Sequence, residues 1–171
     1  GFVLGDPDAP ITIVAFEDFL CPHCQRYEPT IDAFIENYVS KGLARFEYRM
    51  LPAVDATYSP LAAKFVECAG ELKDGAFWPA HDLMFELASS SRFNNSTPRT
   101  FADRIGIPYA DLLECTSDAD QVNVDTALAN TVGASGTPTV MVRYGDELPQ
   151  YSQFGQQPTL EQLGLIVASA Q

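Results

Sequence analysis

A buried strand that leads directly into a Cys-x-x-Cys helix start is the feature that most restricts what this chain can fold into. Residues 11–16 (ITIVAF) form a continuous β-prone run, which is typical of a strand covered on both faces. The tetrapeptide Cys-Pro-His-Cys follows at 21–24, and its proline suits the first turn of a helix because its missing N–H would have had no intrahelical partner there. An apolar stripe at helical spacing continues to Val39 and predicts a helix that ends near Gly42.

A second strand turns this segment into a βαβ unit. Residues 44–50 (ARFEYRM) alternate between polar and apolar side chains, which predicts a half-exposed strand with Phe46, Tyr48 and Met50 on its covered face. Two strands joined by such a helical crossover run parallel, and the crossover is right-handed. The first part of the chain is therefore half of an α/β domain.

The spacing of apolar residues along the chain then changes twice. Apolar positions recur at helical spacing through residues 58–132, interrupted by a Ser/Asn-rich loop at 89–96. Strand character returns at 139–144 and weakly at 151–154. A last helix is predicted after the Thr-x-x-Gln capping box at 159–162.

The predicted order is βαβ, a helical insertion, then ββα. A Cys-x-x-Cys next to a βαβ unit is the redox signature of a thioredoxin-like fold, and 171 residues suit one domain with an insertion. We therefore predict an α/β thioredoxin fold with a central mixed sheet, built from residues 1–57 and 133–171. Residues 58–132 are predicted to form an all-helical insertion.

The competing interpretation of the Cys-x-x-Cys is half of a zinc site. Zinc would need two more ligands at suitable spacing, whereas Cys68 and Cys115 stand alone and the only histidine outside the motif is His81. His81 lies on the apolar face of a predicted helix, and we expect a packed core histidine with one hydrogen bond. We predict no metal site, and no cofactor beyond the redox-active disulfide itself.

The position of the dithiol gives its two sulfurs different roles. Cys21 lies at the helix N-terminus, where the helix dipole and free N–H groups favour a thiolate, so it is the expected nucleophile at the exposed end. Cys24 lies one turn in and is the expected shielded, resolving thiol. Pro22 and His23 complete the candidate catalytic motif. A positively charged or hydrogen-bonding His23 stabilises the Cys21 thiolate and makes the disulfide form a stronger oxidant; the alternative is a solvated helix residue.

Cys68 and Cys115 remain outside the motif. An even number of cysteines permits a second disulfide, which suits an oxidising compartment. A cytosolic protein would instead keep them as two inert buried thiols.

The net charge of −13 restricts the partners of the chain. It argues against a nucleic-acid binder, because phosphate neutralisation needs clustered Lys and Arg, and against docking on an anionic membrane surface. No apolar run approaches the roughly 18–20 residues of a membrane span. Acidic residues occur throughout the chain and are typical of a solvated surface.

Three motifs together resemble the DsbA family of bacterial dithiol oxidases. They are Cys-Pro-His-Cys at 21–24, Gly-Thr-Pro-Thr at 136–139 and Phe-Trp-x-x-His-Asp at 77–82. The resemblance covers nearly the whole chain, including the helical insertion, and the Pro-His pair between the cysteines is its most specific part. It implies a cis Thr137–Pro138 bond opposite the dithiol, with the Thr137 backbone presented to an extended substrate strand.

The resemblance also implies an activity, partners and a location. Unfolded client proteins with free thiols would be oxidised through a mixed disulfide at Cys21. A membrane protein resembling DsbB, or a vitamin-K-epoxide-reductase-like protein, would then reoxidise the dithiol. Export to the periplasm or cell envelope is expected, with or without an anchor outside this chain. Some DsbA-like proteins carry a disulfide in the helical insertion. The resemblance therefore implies a structural disulfide between Cys68 and Cys115.

Two alternatives to an oxidase remain open. One is a disulfide reductase or isomerase of the same fold, although isomerases usually dimerise through an added domain for which this chain has no spare length. The other is a thioredoxin-fold module that binds cysteine-bearing peptides while its dithiol stays idle. Reactivity of the dithiol and its reduction potential separate these three functions.

One position departs from the family pattern. Oxidoreductases of this kind usually carry a buried acid six positions before the first cysteine, and that position is Ala15 here. Glu17 lies two residues on, so on a regular strand it points to the same face. We predict that burial raises the pKa of Glu17 and that Glu17 relays a proton to or from Cys24. An equally weighted alternative is a bulge or early strand end that turns Glu17 into solvent.

Overall fold

A mixed four-stranded sheet forms the centre of the computed structural model, which describes residues 1–90 and 93–170. From one edge to the other, its strands are β1 (Phe2–Leu4), β3 (Arg45–Met50), β2 (Ile11–Glu17) and β4 (Thr139–Tyr144). β2 and β3 run parallel, whereas β1 is antiparallel to β3 and β4 is antiparallel to β2. The βαβ unit and the central mixed sheet are confirmed.

Helices connect and cover these strands. The first helix, α1 (Pro22–Phe34), links β2 to β3 and continues as a π-helical turn over Ile35–Val39. The later helices are α2 (Tyr58–Leu72), α3 (Phe77–Ser90), α4 (Thr97–Ile105), α5 (Tyr109–Cys115), α6 (Gln121–Val132) and α7 (Leu160–Ser169). The predicted capping box starts α7, because the Thr159 hydroxyl accepts from the Gln162 N–H and the Gln162 side chain accepts from the Thr159 N–H.

The helical insertion shares one core with the sheet. Ile13 and Ala15 of β2 belong to the same buried cluster as Cys24 of α1, Phe65 of α2 and Phe101 of α4. The dithiol helix is therefore packed between the sheet and the insertion.

The opposite face of the sheet is covered by α6. Val14 and Phe16 of β2 pack in a smaller cluster with Leu51, Ala129 of α6 and Met141 of β4. With both faces covered, β2 is buried along its whole length, as its continuous apolar run predicts.

The prediction of a half-exposed β3 was wrong. Glu47, on the face expected to meet solvent, is completely buried and forms ion pairs with Arg49 and Arg143. Arg49 Nη1 also lies 2.8 Å from Oδ1 of Asp125 in α6, and the Met50 N–H donates to Asp125 Oδ2 at 2.8 Å. Charge pairing between strands and helix allows these polar side chains to be buried, and strand alternation alone does not show it.

The structure differs from the sequence analysis at three further points. β1 was not predicted, because three residues are too few to show a period. The weak strand expected at 151–154 is reduced to an isolated bridge between Ser152 and Gly155, so a single strand follows the insertion. The loop expected at 89–96 begins later, because α3 extends through Ser90; residues 91 and 92 lie outside the described part of the chain.

Candidate active site

The dithiol lies where β2 gives way to α1. Cys21 is the N-cap residue of α1 in an extended conformation, and its carbonyl accepts a hydrogen bond from the Gln25 N–H at 3.0 Å. Cys21 and Cys24 are free thiols, 4% and 0% exposed. Cys21 was expected at the exposed end; it is the more exposed of the two sulfurs, but it too is buried.

The loop before β4 lies over Cys21. The Thr137–Pro138 peptide bond is cis, and the Cys21 thiol donates to the Thr137 carbonyl with an Sγ–O distance of 3.4 Å. The structure thus places the predicted dithiol and the predicted substrate-binding pair in contact. This contact joins residues more than one hundred positions apart in the chain.

Gln156 holds the cis-proline loop in place. Its Nε2 donates to the Pro138 carbonyl at 3.2 Å and to Thr139 Oγ1 at 2.6 Å. Its backbone carbonyl accepts from the Val140 N–H at 2.9 Å. Sequence reasoning missed this residue, because a single glutamine in a polar stretch carries no local signal.

Asp18 fixes the loop that leads to the dithiol. Its Oδ1 accepts from the Leu20 N–H at 2.9 Å, and its Oδ2 accepts from the N–H groups of Ala53 and Val54 at 2.8 and 2.9 Å. The buried carboxylate therefore ties the β2–α1 loop to the β3–α2 loop beside the active site. Asp18 was also missed by sequence reasoning.

Glu17 is buried, and the alternative in which it turns into solvent was wrong. β2 stays regular through Glu17, so this side chain shares the strand face of Ala15, as strand parity predicts. Burial raises the pKa of Glu17 to about 8. A carboxyl with such a pKa is mostly protonated at neutral pH.

The neighbour of Glu17 is a second carboxyl, Glu28 of α1. Burial, and then the charge of Glu17, raises the pKa of Glu28 to about 10. Among the described residues, no amide or hydroxyl donor reaches the Glu17 oxygens, so the Glu28 carboxyl is the group that hydrogen-bonds them. Two buried carboxyls can share a hydrogen bond only when one holds a proton. Sequence reasoning missed Glu28, since its position one turn after Cys24 looks like an ordinary helix surface.

The acid pair acts on Cys24. Burial raises the pKa of the Cys24 thiol above its usual range, and the neighbouring Glu17 charge raises it further. The hydroxyl of Tyr48 lies in the same region, and burial followed by the charge of Glu17 raises its pKa as well. Cys24 is therefore a poor leaving group unless a proton reaches it, and Glu17 is close enough for its charge to act on the Cys24 sulfur.

His23 is exposed and pairs with Arg26. His23 Nδ1 lies 3.0 Å from Arg26 Nη2, and because a guanidinium only donates, Nδ1 accepts. The ring therefore carries its proton on Nε2 when neutral. Arg26 adds a positive charge to the first turn of α1, which sequence reasoning missed.

His81 packs in the core, as expected. Its ring centroid lies 4.5 Å from that of Tyr48 and 5.0 Å from that of Phe85, and its Nδ1 makes one hydrogen bond with Asp82 Oδ1 at 2.9 Å. Its position between aromatic rings gives it a packing role.

Cys68 of α2 and Cys115 of α5 form a disulfide. The two sulfurs are therefore bonded to each other and are not free to complete a zinc site with the Cys-x-x-Cys. This bond lies in the helical insertion, away from the cis-proline loop.

The sequence model of the Thioredoxin family matches residues 1–154. The chain belongs to the thioredoxin family. Among curated relatives of this thioredoxin-family chain, Na⁺/H⁺ antiporter NhaA 3 of Salinispora tropica is 33% identical over 144 residues, covering 82% of this chain and 21% of the antiporter. Disulfide bond formation protein D of Bacillus subtilis is 28% identical over 148 residues, covering 82% of this chain and 66% of that protein. The chain thus spans about a fifth of the length of the antiporter and just under two thirds of the length of the disulfide bond formation protein.

Solved structures share the fold of this thioredoxin-family chain. Oxidised BdbD from Bacillus subtilis superposes with a TM-score of 0.78 at 24% identity, covering 98% of this chain and 91% of BdbD. α-DsbA1 from Wolbachia pipientis superposes with a TM-score of 0.79 at 18% identity, covering 98% and 89%. The predicted thioredoxin fold with a helical insertion is confirmed, and so is the resemblance to DsbA-like proteins.

Within the two described stretches of the chain, no helix has both the length and the apolar character that crossing a membrane requires.

Proposed function

We propose that this protein is an extracytoplasmic thiol:disulfide oxidase that transfers the Cys21–Cys24 disulfide to client proteins. The observation that carries the proposal is the unequal environment of the two sulfurs. Cys21 lies at a helix N-terminus against the Thr137 carbonyl, whereas Cys24 is fully buried beside a carboxyl that holds a proton at neutral pH.

The first step forms a mixed disulfide at Cys21. A client thiolate attacks Cys21 Sγ, a new client–Cys21 S–S bond forms, and the Cys21–Cys24 bond breaks. The electron pair of the broken bond leaves with Cys24, whose raised pKa makes a free thiolate costly. The protonated Glu17 gives its proton to that sulfur, and Glu28 shares the remaining charge.

The second step releases the client. A second client thiolate attacks the client sulfur of the mixed disulfide, and Cys21 leaves as a thiolate favoured by the helix N-terminus and the positive charge of Arg26 beside His23. The client has lost two electrons, and the enzyme holds them as the reduced dithiol. A membrane oxidant resembling DsbB, or a vitamin-K-epoxide-reductase-like protein, accepts these electrons and restores the disulfide.

The cis-proline loop is the proposed docking point for the client. An extended client segment lies against the backbone of Thr137 and Pro138 as an added strand, and this places its cysteine over Cys21. Gln156 keeps the loop in position.

The proposed location is outside the cytoplasm, in the periplasm or cell envelope. The insertion disulfide supports this, because such bonds persist in oxidising compartments. Similarity to one fifth of a longer Na⁺/H⁺ antiporter also supports a placement at the cell envelope. Labelling of Cys21 in intact cells with a membrane-impermeant maleimide tests the location.

Oxidation of reduced, unfolded ribonuclease A tests the activity. Under anaerobic conditions without another oxidant, the oxidised protein should remove two client thiols for each Cys21–Cys24 disulfide. The Cys24→Ser variant, which has no Cys21–Cys24 disulfide to donate, should remove none. A Cys68→Ser/Cys115→Ser variant is the matched control and should keep the stoichiometry. A dithiol that exchanges with no client would instead identify a peptide-binding module.

A further inference from the structure

A groove leads away from the dithiol along the seam between α1 and α3. Its near end is a cavity of about 390 Å³ and its far end a cavity of about 310 Å³, and the two share Gln25. We call this continuous surface the α1–α3 groove. The near end is lined by Leu20, Pro22, Val54, Tyr58 and Phe93, together with the acidic Asp55. The far end is lined by Gln25, Glu28, Asp32, Asp82, Phe85 and Glu86.

The groove has the length of a short peptide segment. Its α1 wall runs from Pro22 through Gln25 to Asp32, positions that share one face of the helix. Ten residues of α-helix span about 15 Å, which an extended chain crosses in about four or five residues. The groove begins one residue from the nucleophile Cys21.

The chemistry of the groove changes from mostly apolar to acidic along this length. At the near end, Leu20 and the half-exposed Val54 offer apolar surface, and the Asp55 carboxylate there accepts hydrogen bonds from the N–H groups of Thr57 and Tyr58. At the far end, Asp32 and Asp82 face each other across the seam. Burial, and then the charge of Asp82, raises the pKa of Asp32, so the two carboxylates lie close enough to repel.

Other groups at the far end offset only part of this negative charge. Glu86 is already paired with Arg104 through two hydrogen bonds of 2.7 and 2.9 Å. Asp82 Oδ1 is hydrogen-bonded to Nδ1 of the buried His81 at 2.9 Å, and the same ring opposes, without reversing, the rise in the pKa of Asp32. A cation entering the groove would therefore meet two carboxylates that repel one another.

We propose that the α1–α3 groove binds the client segment that continues from the reacting cysteine. It takes an apolar side chain beside Pro22 and a lysine or arginine side chain over Asp32 and Asp82, about four or five residues from the client cysteine. This subsite rests on the oxidase function proposed above. A chain bonded to Cys21 is delivered to the mouth of the groove, and the −13 charge of the protein attracts basic segments.

The test compares peptides that differ only in one charge. Each peptide carries the same pair of cysteines with a leucine beside the pair. A lysine or a glutamate lies four or five residues from the cysteines, on their N-terminal side in one set of peptides and on their C-terminal side in the other. The oxidised protein should oxidise the better-placed lysine peptide about tenfold faster than its glutamate counterpart at low salt, and high salt should reduce that ratio. Because the readout is a ratio, any overall change of reactivity in a variant cancels.

Two variants and one control decide the assignment. Asp32→Asn/Asp82→Asn should bring the lysine-to-glutamate ratio close to one, whereas Asp103→Asn/Glu114→Gln, which removes two exposed charges elsewhere on the insertion, should keep the wild-type ratio and the wild-type rate with dithiothreitol. Val54→Ser should lower the preference for leucine over serine beside the cysteines, which tests the apolar end separately.

Equal ratios in the wild type and in Asp32→Asn/Asp82→Asn would overturn the groove assignment while leaving the oxidase intact. Failure to oxidise any of the peptides or dithiothreitol would instead overturn the oxidase function itself.

Discussion

At the residue scale, the buried acid near the Cys24 sulfur occupies an unusual strand position. The family position six residues before Cys21 is Ala15, and Glu17 takes over its face of β2. Glu17 then meets Glu28 across the start of α1, and the pair holds protons that isolated surface carboxyls would release. This arrangement has consequences for stability and for rate.

The pair should make the protein less stable as pH rises. The folded-state pKa of Glu17, about 8, exceeds the value of 4.5 expected for the unfolded chain. Its stabilising contribution is therefore complete below pH 4.5 and is lost as pH rises toward 8, by at most about 1.4 kcal/mol per pH unit. In Glu17→Gln, the free energy of unfolding measured with urea between pH 5 and 8 should fall less steeply. An unchanged slope would show that Glu17 carries no extra proton in the folded state.

The same residue should set the rate at which Cys24 leaves. Glu17→Gln removes the proton donor and should slow the attack of a small thiol on the oxidised dithiol by about tenfold or more, whereas Glu17→Asp keeps an acid and should be affected less. After correction for ionisation of the attacking thiol, the wild-type rate should fall as pH rises through about 8. Stopped-flow fluorescence follows the reaction. A Glu17→Gln variant with the wild-type pH profile would exclude the relay.

His23 and Arg26 should together favour the reduced form. His23→Ala removes a donor and breaks the contact between His23 and Arg26, so the variant should be a weaker oxidant. We expect its equilibrium constant with glutathione to shift by about tenfold, or about 30 mV. Separation of the oxidised and reduced forms after equilibration gives this constant. If the constant stays at the wild-type value, His23 is only a solvated helix residue.

At the scale of elements, the disulfide between α2 and α5 stabilises the insertion without taking part in exchange. It closes a loop of 47 residues, so Cys68→Ala/Cys115→Ala should lose about 4 kcal/mol of unfolding free energy on the chain-entropy model. Urea titration measures the loss, and client oxidation should continue. Loss of oxidation in a folded double variant would assign the pair a redox role.

Local signals in the sequence predict most of the helices and strands. They also predict the two parts of the site, which are the Cys21–Cys24 motif and the Thr137–Pro138 loop. β4 has the predicted bounds, because the strand character of residues 139–144 is encoded within a few adjacent positions. Asp18, Glu28 and Gln156 were not found, since each acts through a partner brought close only by folding. The buried charge of Glu47 was missed for the same reason.

At the scale of the whole molecule, sheet and insertion are joined through a single core that includes the buried face of the dithiol helix. β2, the cis-proline loop and α3 approach α1 from different sides. Cys24 is therefore fully buried, and Cys21 is the more exposed residue of the pair. A shielded sulfur beside an acid, joined to a sulfur at a helix N-terminus, is an arrangement that favours the reduced dithiol over the disulfide. This arrangement supports the proposed oxidase activity.

The reduction potential of the Cys21–Cys24 pair distinguishes an oxidase from a reductase. Equilibration with defined glutathione redox buffers, followed by alkylation and mass analysis of the two cysteines, gives the value. We expect a strongly oxidising potential, closer to the about −120 mV of DsbA than to the about −270 mV of thioredoxin. A potential near that of thioredoxin would rule out the proposed oxidase and identify the protein as a reductase.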